Sequence, residues 1–92
     1  MNLKQLSYFL AVASAGSFTK AAEQIPLAQS ALSRHMRMLE EELGTTLLIR
    51  TGRGVEPTEQ GEFLVSRARS LLEQSEDTKR NLQSWNDNPA GL

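Results

Sequence analysis

Cysteine is absent from this 92-residue chain, so it offers no disulfide framework, no thiolate metal site and no cysteine nucleophile. A reducing compartment is the expected setting. Histidine occurs once, as His35, with no Cys and no clustered carboxylates beside it. The reading is therefore a surface or DNA-flanking position on the flank of a helix, with no metal and no cofactor. Long apolar runs are lacking too. The N-terminal "MNLKQLSYFLAVASAGS" is interrupted by Ser7 and Tyr8 and has only Lys4 as a preceding cation, which is not a signal-peptide pattern. Nothing reaches the ~20 apolar residues of a membrane span, so a cytoplasmic protein without membrane contact is expected. Aromatics are few: Tyr8, Phe9, Phe18, Phe63 and Trp85, all allotted to core or helix seam. That leaves no stacking platform for a single-stranded RNA. Finally, no charge of one sign dominates. Ten basic side chains face eleven acidic ones, net -1, whereas a basic total is the usual footprint of a nucleic-acid binder.

What is present is a globular composition, 39% hydrophobic and 23% charged, long enough for one small domain with a thin core. The charge is unevenly placed. Residues 1–56 hold six basic side chains against five acidic ones, and residues 57–92 hold four against six. Leu3, Leu6, Leu10 and Ala13, with Phe9 beside them, mark one face of a first helix, and Gly16 breaks it. Ser17 caps a second, whose apolar face is Phe18, Ala21, Ala22 and Ile25. Pro26 stops that helix and biases Ile25 towards an extended conformation.

The third helix, "QSALSRHMRMLEEEL" over residues 29–43, carries the most information. Leu32, Met36, Leu39 and Leu43 form its core stripe, and Gly44 ends it. At ~100° per residue, Ser30, Ser33, Arg34 and Arg37 occupy the opposite side, with Gln29 at its edge. Amide, guanidinium and short hydroxyl groups are those that read base edges and hold phosphates. Most polar helix faces are merely solvated, but this one holds no acid before Glu40. Its cations sit on the N-terminal part, which in a helix-turn-helix enters the major groove. Glu40, Glu41 and Glu42 oppose the helix macrodipole. Their expected role is to repel phosphate and set the helix's depth and tilt, with Glu41 also pairing to Arg37. Ser33, His35 and Glu40 do not make a catalytic set, because Ser33 and His35 are two apart on a helix and diverge. No enzyme is expected.

Two β-prone pieces, Thr46 to Ile49 and Gly54 to Glu56, flank the "RTGR" loop and predict a hairpin. Its Arg53 is placed to reach a minor groove, and Arg50 a phosphate. Thr58 then caps a long helix ending near Trp85. Along it Leu64, Ala68, Leu71, Ser75, Thr78, Leu82 and Trp85 follow a four-three alternation, the pattern of a dimerisation seam. The fold expected is mainly α: a winged helix-turn-helix of three helices and a small hairpin over residues 1–57. A linker (dimerisation) helix over 58–85 and a hinge or disordered tail over 86–92 follow. Sequence-specific binding of double-stranded DNA, at a roughly palindromic site and by a homodimer, is the function these features imply. The rival is a protein-interaction module using the long helix, with no DNA affinity.

"FLAVASAGSFTKAAEQ", "AQSALSRHMRMLEEELG" and "LLIRTGRGVEPTEQGE", in that order, resemble the DNA-binding domain of LysR-type transcriptional regulators, from Leu3 to about Leu72. The resemblance implies a winged helix-turn-helix whose linker helix pairs antiparallel with that of a second subunit. It also implies that Gln29, Ser33 and Arg34 are groove contacts, that Ser30 and Arg37 lie beside them, and that Arg53 is the wing arginine. Ala28 departs from the family's usual Ser or Thr. Family members normally continue into a periplasmic-binding-protein-like effector domain and form higher oligomers. This chain stops at what resembles the hinge and reads as an isolated DNA-binding domain, cytoplasmic and nucleoid-associated.

Overall fold

In a computed structural model, which describes residues 1–87, four helices and one hairpin follow in the order α1 (Leu3–Ala15), α2 (Phe18–Gln24), α3 (Gln29–Leu43), β1 (Leu48–Thr51), β2 (Gly54–Pro57) and α4 (Glu59–Asp87). This is the expected winged helix-turn-helix with a long helix behind it. Local chemistry accounts for most boundaries. The side chains of Asn2 and Ser17 accept hydrogen bonds from the amides of Gln5 and Lys20, capping α1 and α2. Ile25 is extended before Pro26, as the proline requires. Gly16 and Gly44 close α1 and α3 in the left-handed region.

The core gathers one stripe from each helix: Leu6, Phe9 and Val12 of α1, Phe18 and Ala21 of α2, and Leu32, Met36 and Leu39 of α3. Leu47 and Val55 from the hairpin region and Leu64 and Ala68 of α4 complete it. Each fully buried large side chain contributes ~1.5–3 kcal/mol. The face assigned to α1 needs correction. Leu3 is exposed, Leu10 and Ala13 are half-buried, and the buried row is Leu6, Phe9 and Val12, with Gln5 buried beside it. α1 packs against α2, α3 and α4 at once, so its buried face is wider and turned from the single stripe the leucines suggest. Leu43 is likewise exposed at the end of α3. His35 is half-buried. Its ring packs edge-on against Tyr8 of α1 with centroids 5.3 Å apart, and its Nδ1 is buried.

β1 and β2 pair antiparallel with Leu48 opposite Pro57 and Thr51 opposite Gly54. The first strand thus lies two residues later than β-propensity suggests, because Thr46 and Leu47 are used to anchor the hairpin. The Leu47 carbonyl accepts from the Thr58 amide at 2.9 Å, and the Thr46 carbonyl accepts from the Thr58 hydroxyl at 2.7 Å. That hydroxyl also receives the Gly61 amide at 3.0 Å, so Thr58 caps α4 while tying it to the wing's root. On the other side the Val55 amide donates to the Gly16 carbonyl at 2.9 Å. Gly54 sits at φ 129, and a side chain there would collide with that carbonyl oxygen.

α4 divides into two parts. Leu64 and Ala68, expected in an intermolecular seam, are instead buried in the chain's own core against α1. Their spacing serves the first contact available. From Glu73 to Asp87 every residue is exposed except half-buried Ser75, and Leu71, Leu82 and Trp85 are 40%, 57% and 50% exposed. The helix continues through Asp87, so Asn86 and Asp87 are not tail. The rest of the expected hinge, residues 88–92, lies outside the described residues.

Candidate nucleic-acid interface

α2 and α3 form the helix-turn-helix, and the turn at residues 25–28 leaves the start of α3 exposed. Ala28 supplies no side-chain cap, as its methyl predicts. A different contact steadies this end: the Thr19 hydroxyl of α2 donates to Gln29 Oε1 at 3.2 Å. The Gln29 amide nitrogen then points its protons elsewhere, available as donors. Thr19 was not legible as a partner, since nothing local links it to a residue ten positions away.

Leu32, Met36 and Leu39 seat α3 in the core, while Ser30, Arg34 and Arg37 are exposed and Ser33 is half-buried. Among the described residues no ion pair engages Arg34, Arg37, Arg50 or Arg53. Ser30, Arg34 and Arg37, with Ala31, line a shallow cleft of 250 Å³. A second cleft, 420 Å³, opens between α3 and the wing, lined by Phe18, Ser33, Met36, Arg37, Glu40, Leu48 and Arg50. The structure therefore brings Arg50 of β1 to the same cleft as Ser33 and Arg37. The Arg50 guanidinium lies over the Phe18 ring, 4.8 Å from its centroid, which orients the cation without neutralising it. Arg53 stands apart on the turn between the strands, its amide donating to Thr51 Oγ1 at 3.2 Å.

The acidic run divides. Glu40 turns towards the wing: its Oε2 accepts from the amides of Leu47 at 2.7 Å and Leu48 at 3.1 Å. Glu42 pairs with the N-terminal ammonium of Met1. Glu41 is exposed and makes no ion pair with Arg37. Two of the three acids expected to repel phosphate thus have partners within the chain, Glu40 on backbone amides and exposed Glu42 on the N-terminal ammonium. Among the described residues no group of three His, Cys, Asp or Glu could hold a metal ion, and no helix is long and apolar enough to cross a membrane.

Residues 3–62 match the family described as bacterial regulatory helix-turn-helix protein, lysR family. The chain is 48% identical over 79 residues to the nitrogen assimilation regulatory protein nac of Klebsiella aerogenes, covering 86% of this chain and 26% of that protein. It is 42% identical over 89 residues to the HTH-type transcriptional regulator PgrR of Escherichia coli (strain K12), covering 97% of this chain and 30% of that one. Thus the chain spans about a quarter to a third of these relatives' length. Among solved structures, the complex of BenM_DBD with catB site 1 DNA superposes with a TM-score of 0.93 at 38% identity, covering 99% of this chain and 98% of that one. CbnR, a LysR family transcriptional regulator, gives 0.88 at 37% identity, covering 91% and 29%.

Proposed function

This chain belongs to the lysR family of bacterial regulatory helix-turn-helix proteins, and from that premise we propose that it binds double-stranded DNA sequence-specifically as the DNA-binding domain of a transcription regulator. It is a regulator's domain and not an enzyme. α3 enters the major groove. Gln29 and Arg34 read base edges, Ser30 and Ser33 contact base or phosphate, Arg37 and Arg50 hold phosphate, and Arg53 enters the flanking minor groove. The observation that carries this reading is the outer face of α3. Among the described residues its donors have no ion-pair partner, while the apolar stripe behind them is fixed in the core. The DNA present in the BenM_DBD complex supports the same reading by similarity.

Two copies pair through α4, using the part that the chain's own core leaves bare: Leu71, Ser75, Thr78, Leu82 and Trp85. Two-fold pairing presents two α3 helices to two half-sites, so the preferred DNA is roughly palindromic. The working location is the cytoplasm, on the nucleoid. Selection of bound sequences from a random duplex pool tests all of this together. The expected result is an enriched motif with two-fold symmetry; a pool that stays random after repeated rounds rejects sequence-specific binding.

A further inference from the structure

We infer that Glu40 is a positioning residue that sets the angle between the recognition helix and the wing, and so decides where Arg50 and Arg53 meet DNA; this rests on the reading of the wing given above. The inference starts from an acid where acids are unfavourable. Glu40 lies in the last turn of α3, where a negative charge opposes the macrodipole, and it lines the same cleft as Arg37 and Arg50 without an ion pair to either. Its oxygen is instead spent on two successive backbone amides, those of Leu47 and Leu48. Leu48 is the first residue of β1, and its amide is directed away from its partner strand. A charged acceptor holds such amides roughly twice as strongly as a neutral one.

Position makes this contact consequential. Ser33, Arg37 and Glu40 follow one another along one side of α3, so the row that faces the cleft ends in the group that grips the wing. Arg50 stands two residues beyond Leu48, on the same side of the strand. Arg53 sits on the turn after Thr51, and Thr51 lies three residues beyond Leu48, about 10 Å along the strand at ~3.3 Å per residue. A rotation of roughly 10° at the root therefore moves the turn by about 2 Å, enough to break a hydrogen bond made at its tip. The wing is also tied to Gly16 and Thr58, but those ties run to the α1–α2 turn and to the start of α4. Glu40 is the side chain through which α3 itself takes hold.

The test is binding of a fluorescent duplex, selected from a random pool by the unmodified chain, with folding followed by circular dichroism and thermal melting. Glu40→Ala removes the acceptor, and Glu40→Asp keeps the charge but withdraws it by one methylene. Both should raise Kd by about five- to tenfold, whereas Glu40→Gln, whose amide oxygen can still accept, should stay within about twofold. In a chain already carrying Arg50→Ala and Arg53→Ala, Glu40→Ala should add no more than about twofold. If the losses instead multiply in full, or if Glu40→Asp binds like the unmodified chain, Glu40 does not act through the wing. Tighter binding by Glu40→Gln would also overturn the inference in favour of phosphate repulsion. Should the Arg50→Ala, Arg53→Ala chain bind as tightly as the unmodified one, the wing reading fails first and this role with it. If Glu40→Ala melts out, Glu40→Asp and Glu40→Gln carry the comparison alone.

Discussion

Arg34 is held to the fold by its backbone and stem and to nothing by its guanidinium. It is exposed, unpaired among the described residues, and set one residue beyond half-buried Ser33. A planar fork so placed can grip the O6 and N7 of a guanine, a contact worth ~1–3 kcal/mol of discrimination. Arg34→Ala should therefore weaken binding to the selected duplex by that amount and flatten preference at one base position. Binding to single-base variants of the duplex measures both, and equal loss on selected and random DNA would contradict base reading. Residues of this kind were legible in the sequence because helical period alone assigns them to the outer face. Glu40, Thr19 and His35 were not. Their partners lie seven or more residues away, on β1, α3 and α1, and depend on how elements pack, which no local pattern encodes.

Elements were legible where their ends carry chemistry of their own. The caps Ser17 and Thr58, the stop at Pro26 and the glycine at 44 all stand where the sequence places them. The wing's first strand and the inward face of α1 were misread, both because a neighbouring element claims residues that propensity would assign otherwise. Gly61 illustrates the same competition in energetic form. As a helical residue it should gain about 1 kcal/mol on replacement by Ala. Yet a Cβ at this position would collide with the Leu47 carbonyl oxygen, a backbone atom already bonded to the Thr58 amide. Gly61→Ala should destabilise the chain by roughly 2–4 kcal/mol, the range of strained core substitutions. Urea unfolding measures it, and a variant as stable as the parent would mean that the wing's root yields easily.

At the scale of the molecule, α4 extends roughly 43 Å at ~1.5 Å per residue, in a molecule 55 Å along its principal axis and 25 × 21 Å across it. Leu71, Leu82 and Trp85 stay exposed along it, which is the ground for the pairing proposed above. The four-three spacing could not say where the chain's own core ends, since Leu64 and Ala68 inside it follow the same pattern as exposed Leu71, Leu82 and Trp85. Trp85 is the chain's single tryptophan and is half exposed. Its emission should shift to the blue as concentration rises and the pair forms. Leu82→Glu should abolish that shift and raise the dimer dissociation constant by about tenfold or more, as removal of a buried anchor does. Sedimentation checks the mass, and an unchanged dimer would place the contact elsewhere.

The point at which α4 leaves its own core, near Leu72, also makes the bare segment a gauge. In the pair proposed above, with each rod rooted by Leu64 and Ala68 and crossed against its twin, the separation of the two reading heads is written in residues. One added heptad preserves the seam's phase and moves the heads apart by about 10 Å at ~1.5 Å per residue. A half-turn insertion leaves the span almost the same but rolls the apolar edge out of register. Spacing and orientation of half-sites are thus governed by different features of the same helix, its length and its phase.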